Sequence, residues 1–255
     1  MARMQAVQAS KPGGEWEVVE REVPEPGPGQ VRIKVEACGV CHSDMFVKEG
    51  YWPGLQYPRI PGHEVAGQVD TFNSLRNSGA RAGDLVAVQG IGGLGHLGVQ
   101  YAVKMGFVTV AIGRGKDKES LAKRLGAGHY IDAASANPAE TLQQLGGARV
   151  ILATAPDGKG ISALLEGLSP GGTLLVVAAP GDPIAVNAAT LILKRTSIQG
   201  WPSGTAKDSE DTLRFSTHAG VRPMIERYPL ARASEAYQQM MRSEVRFRAV
   251  LTMNA

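Results

Sequence analysis

Cysteine and aromatic residues are scarce in this chain of 255 residues, which has two cysteines and 5% aromatic residues. Two cysteines cannot form a disulfide framework, so we expect a cytoplasmic protein in which a functional cysteine serves metal or redox chemistry. The sequence also lacks a run of the roughly 18 apolar residues that a membrane span needs. Its 27 basic and 24 acidic residues are interspersed, so the net charge of +3 predicts neither nucleic acid nor a membrane surface as a partner.

The part of the chain after Asp84 alternates short apolar runs with segments of helical periodicity. The apolar runs are 85–88, 107–112, 129–131, 150–153, 173–178 and 197–198, and helical spacing occurs in 118–126, 161–169 and 189–195. Six strands with crossover helices predict an α/β fold with a doubly wound parallel sheet of the Rossmann type.

The part before Asp84 has a different pattern, in which apolar residues alternate at period two between clusters of proline and glycine. This pattern predicts a small all-β unit, with strands within 7–10, 16–23, 30–40 and 63–70. A helix that ends near Gly79 is expected to join the two parts. Near the C-terminus, the pattern predicts a helix over 233–241 and a closing strand over 247–253.

The first strand of the Rossmann pattern runs directly into a glycine-rich turn that precedes a predicted helix over 96–105. The turn reads Gly90, Ile91, Gly92, Gly93, Leu94, Gly95. A GxGxxG pattern between a strand and a helix is typical of dinucleotide binding, because it permits a tight turn, a close approach of backbone to pyrophosphate and close helix packing. The N–H groups at the helix N-terminus favour the phosphates. A tight loop without a ligand is the alternative.

The end of the second strand indicates which dinucleotide is preferred. Sites that prefer NAD place Asp or Glu about 20 residues after the glycines, whereas this chain has Gly113 and Arg114 there and no acid before Asp117. A guanidinium suits a 2′-phosphate because it binds phosphate with a planar, bidentate fork. We therefore expect NADP(H) to be favoured over NAD(H). A solvated basic turn that binds no ligand is the alternative.

Two further motifs complete a recognisable set. The sequence reads ACGVCHSD over 37–44 and GHEVAG over 62–67, with GIGGLGHLGVQYAVKMG over 90–106 and RFRAVLTM over 246–253. Together these motifs resemble the medium-chain zinc alcohol dehydrogenases across nearly the whole chain. The resemblance implies a GroES-like β domain over 1–70, a Rossmann domain over 71–221 and a C-terminal segment, 222–255, that returns to the first domain.

The resemblance also implies a catalytic zinc site. Cys41 and His63 match two zinc ligands, and Glu64 matches a residue beside the metal that serves as an alternative ligand. Ser43 matches the hydroxyl that relays the alcohol proton, and Asp44 the carboxylate that orients the histidine. A relay histidine that some members carry is replaced here by phenylalanine at position 46.

Two more positions match residues that contact the cofactor pyrophosphate in the family, His42 and Arg248. The full set of predicted cofactor-binding residues is therefore His42, Gly90, Gly92, Gly93, Leu94, Gly95, Gly113, Arg114 and Arg248.

The chain departs from the family after Asp70, which is followed at once by Thr71 and Phe72. The family has a cysteine-rich lobe with a structural zinc at this point, then further barrel strands and a third catalytic cysteine. The GroES-like domain is thus expected to be truncated, with an incomplete set of zinc ligands and exposed strand edges.

The leading expectation is an NAD(P)-dependent zinc-type alcohol dehydrogenase that moves a hydride between NADP(H) or NAD(H) and a small alcohol or aldehyde, impaired by the truncation. The alternatives are a dinucleotide-binding relic without catalysis and a zinc-independent reductase of the quinone type. A homodimer or higher homo-oligomer is expected, because a parallel-sheet edge around 196–200 invites pairing. Cys38 is expected to be a buried strand residue, with a Cys38–Cys41 disulfide as the alternative, and His96 is expected at the surface.

Overall fold

The computed structural model describes residues 2–64 and 69–253. These residues form two compact units, one made of residues 2–64 and 224–253 and the other of residues 69–223. The strands and helices are, in chain order, β1 (Arg3–Ala9), β2 (Trp16–Glu22), β3 (Ala37–Gly39), α1 (Asp44–Glu49), α2 (Val69–Arg76), β4 (Leu85–Gln89), α3 (Gly95–Lys104), β5 (Val108–Gly113), α4 (Glu119–Arg124), β6 (His129–Asp132), α5 (Pro138–Gln144), β7 (Ala148–Ala153), α6 (Gly158–Leu164), β8 (Leu168–Val176), α7 (Ala188–Lys194), β9 (Ser197–Gly200), α8 (Ala206–Ala219), β10 (Ile225–Pro229), α9 (Ala233–Met241) and β11 (Arg248–Thr252). None of the helices described is long and apolar enough to cross a membrane.

The second unit is built on a parallel sheet of six strands in the order β6-β5-β4-β7-β8-β9. Both faces of the sheet are buried, with Val86 and Val88 in one apolar core and Ala87 and Ile151 in another. The predicted doubly wound α/β sheet is therefore confirmed. The strand order reverses between β4 and β7, and ligands of such sheets bind at the carboxyl ends of the strands at this point.

Apolar periodicity did not predict two helices of the second unit, although each begins with a recognisable capping signal. At the start of α5, the Asn137 side chain accepts a hydrogen bond from Ala139 N, and Pro138 occupies the first turn. At the start of α8, Thr205 and Asp208 form a reciprocal capping box. Both helices therefore have signals that a search for caps, rather than for apolar periodicity, would have found.

The first unit holds the segment for which the motifs imply a GroES-like domain. It contains an antiparallel pair, β1 with β2, and a three-stranded sheet in the order β10-β11-β3. Its apolar core joins Val40 and Ala249 to Ala236 and Tyr237 of α9. The C-terminal strand β11 pairs antiparallel with β3, which brings the C-terminal segment into this unit.

The strand predicted over residues 30–40 is wrong for most of its length, because only Ala37–Gly39 is a strand. Val31 and Ile33 are 81% and 71% exposed. Period-two alternation yields a strand only where a neighbouring strand takes up the backbone N–H and C=O groups, and β11 does so only along Ala37–Gly39.

The strand predicted over residues 63–70 also differs from the structure. Glu64 forms an isolated antiparallel bridge with Gly39, residues 65–68 lie outside the described part of the chain, and Val69–Arg76 is helical. The predicted joining helix is therefore real, but it begins at Val69 and ends three residues before Gly79.

Candidate active site

Three candidate metal ligands lie together in the first unit. One donor atom each of Cys41, His63 and Glu64 can be chosen so that all three lie within 4.8 Å of one another. Cys41 stands in the turn between β3 and α1, and the bridge between Glu64 and Gly39 places the segment with His63 beside that turn. The sequence prediction thus named residues that the fold brings into one cluster.

Asp44 and Ser43 hold the histidine of this cluster from two sides. The Asp44 carboxylate, at the start of α1, lies 3.3 Å from His63 Nδ1 and also accepts a hydrogen bond from Cys41 N at 3.0 Å. His63 Nε2 lies 3.0 Å from Ser43 Oγ, which in turn lies 3.1 Å from Cys41 Sγ. Because Asp44 engages Nδ1, Nε2 is the ring nitrogen left for a metal.

The charges in the cluster shift the proton affinities of both ligands. The hydrogen bonds to Asp44 and then to Cys41 raise the pKa of His63 to about 10. Burial alone would raise the pKa of the Cys41 thiol, but the hydrogen bonds from His63 and Ser43 outweigh it and lower that pKa. Without a metal, the two shifts act in the same sense, each toward the charged form of its side chain.

Glu64 is engaged by a second group, the guanidinium of Arg248. The two side chains form an ion pair, with 6% and 9% of their respective side-chain surfaces exposed. Gly39 leaves room for the carboxylate, because a Cβ at that position would lie 2.6 Å from Glu64 Oε2. Arg248, predicted to contact the cofactor pyrophosphate, is thus held by Glu64 at the candidate metal site, and its role at the cofactor stays a prediction.

The donor set fits zinc. Thiolate, imidazole and carboxylate are all zinc ligands, and a catalytic zinc takes three protein ligands and one open position. The half-exposed His63 leaves the cluster open on one side. Cys38, the other cysteine, is a free thiol, as is Cys41, and it is partly buried rather than fully buried.

The glycine-rich turn lies in the second unit, between β4 and α3. Gly90 has φ of 88°, and a Cβ there would lie 2.9 Å from the Cβ of Ala155, which follows β7. A Cβ on Gly95 would overlap the carbonyl oxygen of Gly90. Gly92, by contrast, faces open space, with no atom within 4 Å of a Cβ built on it. This open space is the cradle that a dinucleotide pyrophosphate needs beside the N-terminus of α3.

Several residues around this turn were missed or misplaced by the sequence analysis. His96 is fully buried, not at the surface, and its Nδ1 lies 2.8 Å from Gly92 O. Thr154, at the end of β7, donates a hydrogen bond from its hydroxyl to Gln89 O at 2.8 Å. Thr154 follows an apolar run at the point of strand reversal, and that position was the available signal.

The remaining predicted cofactor residues differ in their exposure. His42 is exposed in the turn before α1, whereas Gly93 and Leu94 are partly buried in the glycine-rich turn. Gly113 ends β5 and is buried, and Arg114 follows it with an exposed side chain.

Comparison with known proteins identifies the family. The family described as "Zinc-binding dehydrogenase" matches residues 93–218, and the "Alcohol dehydrogenase GroES-like domain" matches residues 27–142. An alcohol dehydrogenase of Aspergillus sp. (strain MF297-2) is 34% identical over 90% of this chain and 92% of its own length. The chain belongs to the medium-chain zinc-type alcohol dehydrogenases. A second alcohol dehydrogenase, from Geobacillus stearothermophilus, is 28% identical over 93% of this chain and 95% of its own length.

This alcohol dehydrogenase family member is shorter than its relatives. The alignment with the Aspergillus enzyme is 313 residues long, which exceeds the 255 residues of this chain, so the relative carries residues with no counterpart here. The fold is nevertheless retained. The alcohol dehydrogenase of Aeropyrum pernix has a TM-score of 0.86 at 19% identity, covering 98% of this chain and 100% of that one.

Proposed function

We propose that this family member moves a hydride between NADP(H) and a small alcohol or aldehyde, with zinc held by Cys41, His63 and Glu64. Membership of the family supports an oxidoreductase that acts on alcohols. The observation that carries the finer proposal is the convergence of these three donors within 4.8 Å. When bound, zinc polarises the substrate oxygen as a Lewis acid.

The residues of the chain supply orientation and proton handling. Asp44 fixes the ring of His63 through Nδ1, which leaves Nε2 for the metal. Ser43 Oγ lies within hydrogen-bond reach of both Cys41 and His63, so its hydroxyl is placed to take the alcohol proton. The open cradle at Gly92 supports binding of the dinucleotide in the second unit.

Two features of the cluster predict weak metal binding and impaired turnover. Glu64 must exchange its ion pair with Arg248 for the metal, and uncoupling a buried carboxylate from its partner is costly. His63 must also lose the proton that its raised pKa retains at neutral pH, because metal ligands bind in the deprotonated form. We therefore expect zinc to be lost on dialysis and activity to return when zinc is added.

A zinc titration combined with turnover of benzyl alcohol tests the proposal. Cys41→Ser should abolish both zinc binding and zinc-dependent NADPH formation. Cys38→Ser should preserve both, because Cys38 is the neighbouring cysteine outside the cluster. Equal zinc binding by the two variants would refute the assigned ligand set. Turnover that a chelator leaves unchanged would instead favour the quinone-type reductase.

The Glu64–Arg248 ion pair favours a second candidate, a dinucleotide-binding protein without catalysis. Each charge lies against the other in an ion pair that involves no metal. This candidate predicts NADPH binding with neither zinc uptake nor turnover, so the same titration separates it from the first.

A further inference from the structure

The turn after β5 is held at one residue, Gly115. Asp132 Oδ1 accepts a hydrogen bond from Gly115 N at 2.7 Å, and the Tyr130 hydroxyl donates one to Gly115 O at 2.6 Å. Gly115 has φ of 80°, a left-handed conformation that suits glycine. We call these two contacts the Gly115 clamp.

The two side chains of the clamp come from the neighbouring strand β6. The register pairs Gly113 with Asp132, so the end of β6 lies beside the start of the turn. Gly113 makes this approach possible, because a Cβ there would overlap the Tyr130 hydroxyl. The glycine at the end of the second strand is therefore required by the tyrosine, a reason that the sequence alone did not show.

The Asp132 carboxylate is turned toward backbone donors. Besides Gly115 N, it accepts hydrogen bonds from Ala134 N at 2.9 Å and from Ser135 Oγ at 3.0 Å. The bonds from Ala134 N and Gly115 N hold the pKa of Asp132 below its ordinary value. Three donors from the chain thus hold the carboxylate in place.

The clamped residue, Gly115, lies between two exposed basic residues, Arg114 and Lys116. We propose that Tyr130 and Asp132 are positioning residues that hold Arg114 and Lys116 where they bind the 2′-phosphate of NADP(H). This inference rests on the proposed preference for NADP(H). A turn with glycines at 113 and 115 would otherwise be mobile, and binding would then cost the entropy of ordering it. NADH lacks the 2′-phosphate and gains little from an ordered turn.

Equilibrium binding of NADPH and NADH to single variants of the full chain tests the clamp. Tyr130→Phe removes the hydroxyl but keeps the ring, and Asp132→Ala removes both acceptors. Each should lower the ratio of NADPH affinity to NADH affinity by about three- to tenfold, the effect of one hydrogen bond, mainly through NADPH. Asp132→Asn retains an acceptor for Gly115 N and should restore part of the ratio.

The matched control is Tyr57→Phe, which deletes a tyrosine hydroxyl bonded to a backbone carbonyl, that of Val47, in the other unit. It should leave the ratio unchanged. If Asp132→Asn bound NADPH more tightly than the parent protein does, the clamp would be overturned, and the carboxylate would be shown to repel the phosphate. Equal losses for NADPH and NADH would overturn it in favour of a general structural role. A parent protein without NADPH preference would refute the proposed cofactor and the clamp together, whereas a parent with the preference and unchanged variants would refute the clamp alone.

Discussion

At the scale of the residue, Arg114 carries the prediction of cofactor preference. Its side chain is exposed, and no residue in the described part of the chain forms a hydrogen bond or an ion pair with its guanidinium. A bidentate, charge-assisted contact with a 2′-phosphate contributes roughly 1.5–3 kcal/mol, so NADPH should bind about tenfold more tightly than NADH or better. Arg114→Asp should shrink or reverse this difference in a fluorescence titration.

Arg124→Asp is the matched control for that titration, because it makes the same change of charge at an exposed position of α4. It should keep the parent preference. Equal affinities for the two dinucleotides in the parent would contradict the prediction, and so would an equal loss in both variants, which would indicate long-range attraction rather than a contact.

Also at the scale of the residue, the burial of Glu64 and Arg248 affects whether Glu64 can act as a metal ligand. Each is a charged residue in a nearly dry environment, where a charge without a partner is strongly unfavourable. The absence of a third catalytic cysteine in the sequence leaves Glu64 as the carboxylate donor of the cluster, although the fold gives it another partner. The proposed zinc would consequently compete with Arg248 for Glu64.

At the scale of the element, α3 and α8 are joined by a buried hydrogen bond between Tyr101 and Ser216, 2.7 Å long. Burial raises the pKa of Tyr101 to about 12, from its ordinary value of 10.0. The folded state therefore holds the phenol proton more tightly than the unfolded state does. The stability that the neutral Tyr101 phenol contributes is complete below pH 10. It is lost as the pH rises toward 12, by at most roughly 1.4 kcal/mol per pH unit.

Urea unfolding at pH 8, 9.5 and 10.5 measures this loss. Tyr101→Phe should lower stability at pH 8, because the hydrogen bond between Tyr101 and Ser216 is lost, yet make the decline above pH 10 shallower. Tyr51→Phe, at a position 65% exposed, should show the parent slope. A decline as steep in Tyr101→Phe as in the parent would contradict the assignment.

The extended segment 31–36 leads to a second prediction at this scale. Its apolar side chains at Val31 and Ile33 are exposed, and no strand in the described part of the chain pairs with them. Exposed apolar side chains on a segment without a pairing strand promote association. Ile33→Glu should change the free energy of unfolding by less than about 0.5 kcal/mol and reduce aggregation at high concentration.

Turbidity against concentration measures that reduction, and Val250→Glu is the contrast. Val250 lies in β11, paired with Gly39, and is partly buried, so its substitution should destabilise the first unit. If Ile33→Glu destabilised the protein as much as Val250→Glu, segment 31–36 would be packed rather than exposed.

At the scale of the whole molecule, the edge of the six-stranded sheet predicts a homodimer. β9 is the last strand of the sheet as described, and Ile192 and Leu193 of the preceding helix are 74% and 83% exposed. An unpaired edge beside exposed apolar residues favours a two-fold interface. Light scattering at micromolar concentration should show a dimer, and Gly200→Pro, which removes an N–H from the free edge of β9, should shift it toward monomer.

Leu193→Asp should shift the equilibrium in the same direction without altering the strand. A parent protein that is monomeric at micromolar concentration would contradict the prediction. Unchanged dimers in both variants would place the interface elsewhere.

The sequence by itself determined the architecture of the second unit and the identity of the candidate ligands. Apolar runs such as 85–88 and 150–153 form strands buried on both faces of the sheet. Such a run consists of consecutive residues, so the sequence shows it directly. Short motifs likewise named Cys41, His63 and Glu64, which the fold then brought together.

Tertiary structure alone decided which residues oppose one another. Residues 31–35 have the alternation of a strand, but no strand in the described part of the chain pairs with them, and Gly113 is small because Tyr130 of the adjacent strand fills its space. Arg248 meets Glu64 only because β11 pairs with β3, which Glu64 also bridges. Contacts between residues far apart in the chain are set by pairing and burial, and local periodicity carries no information about them.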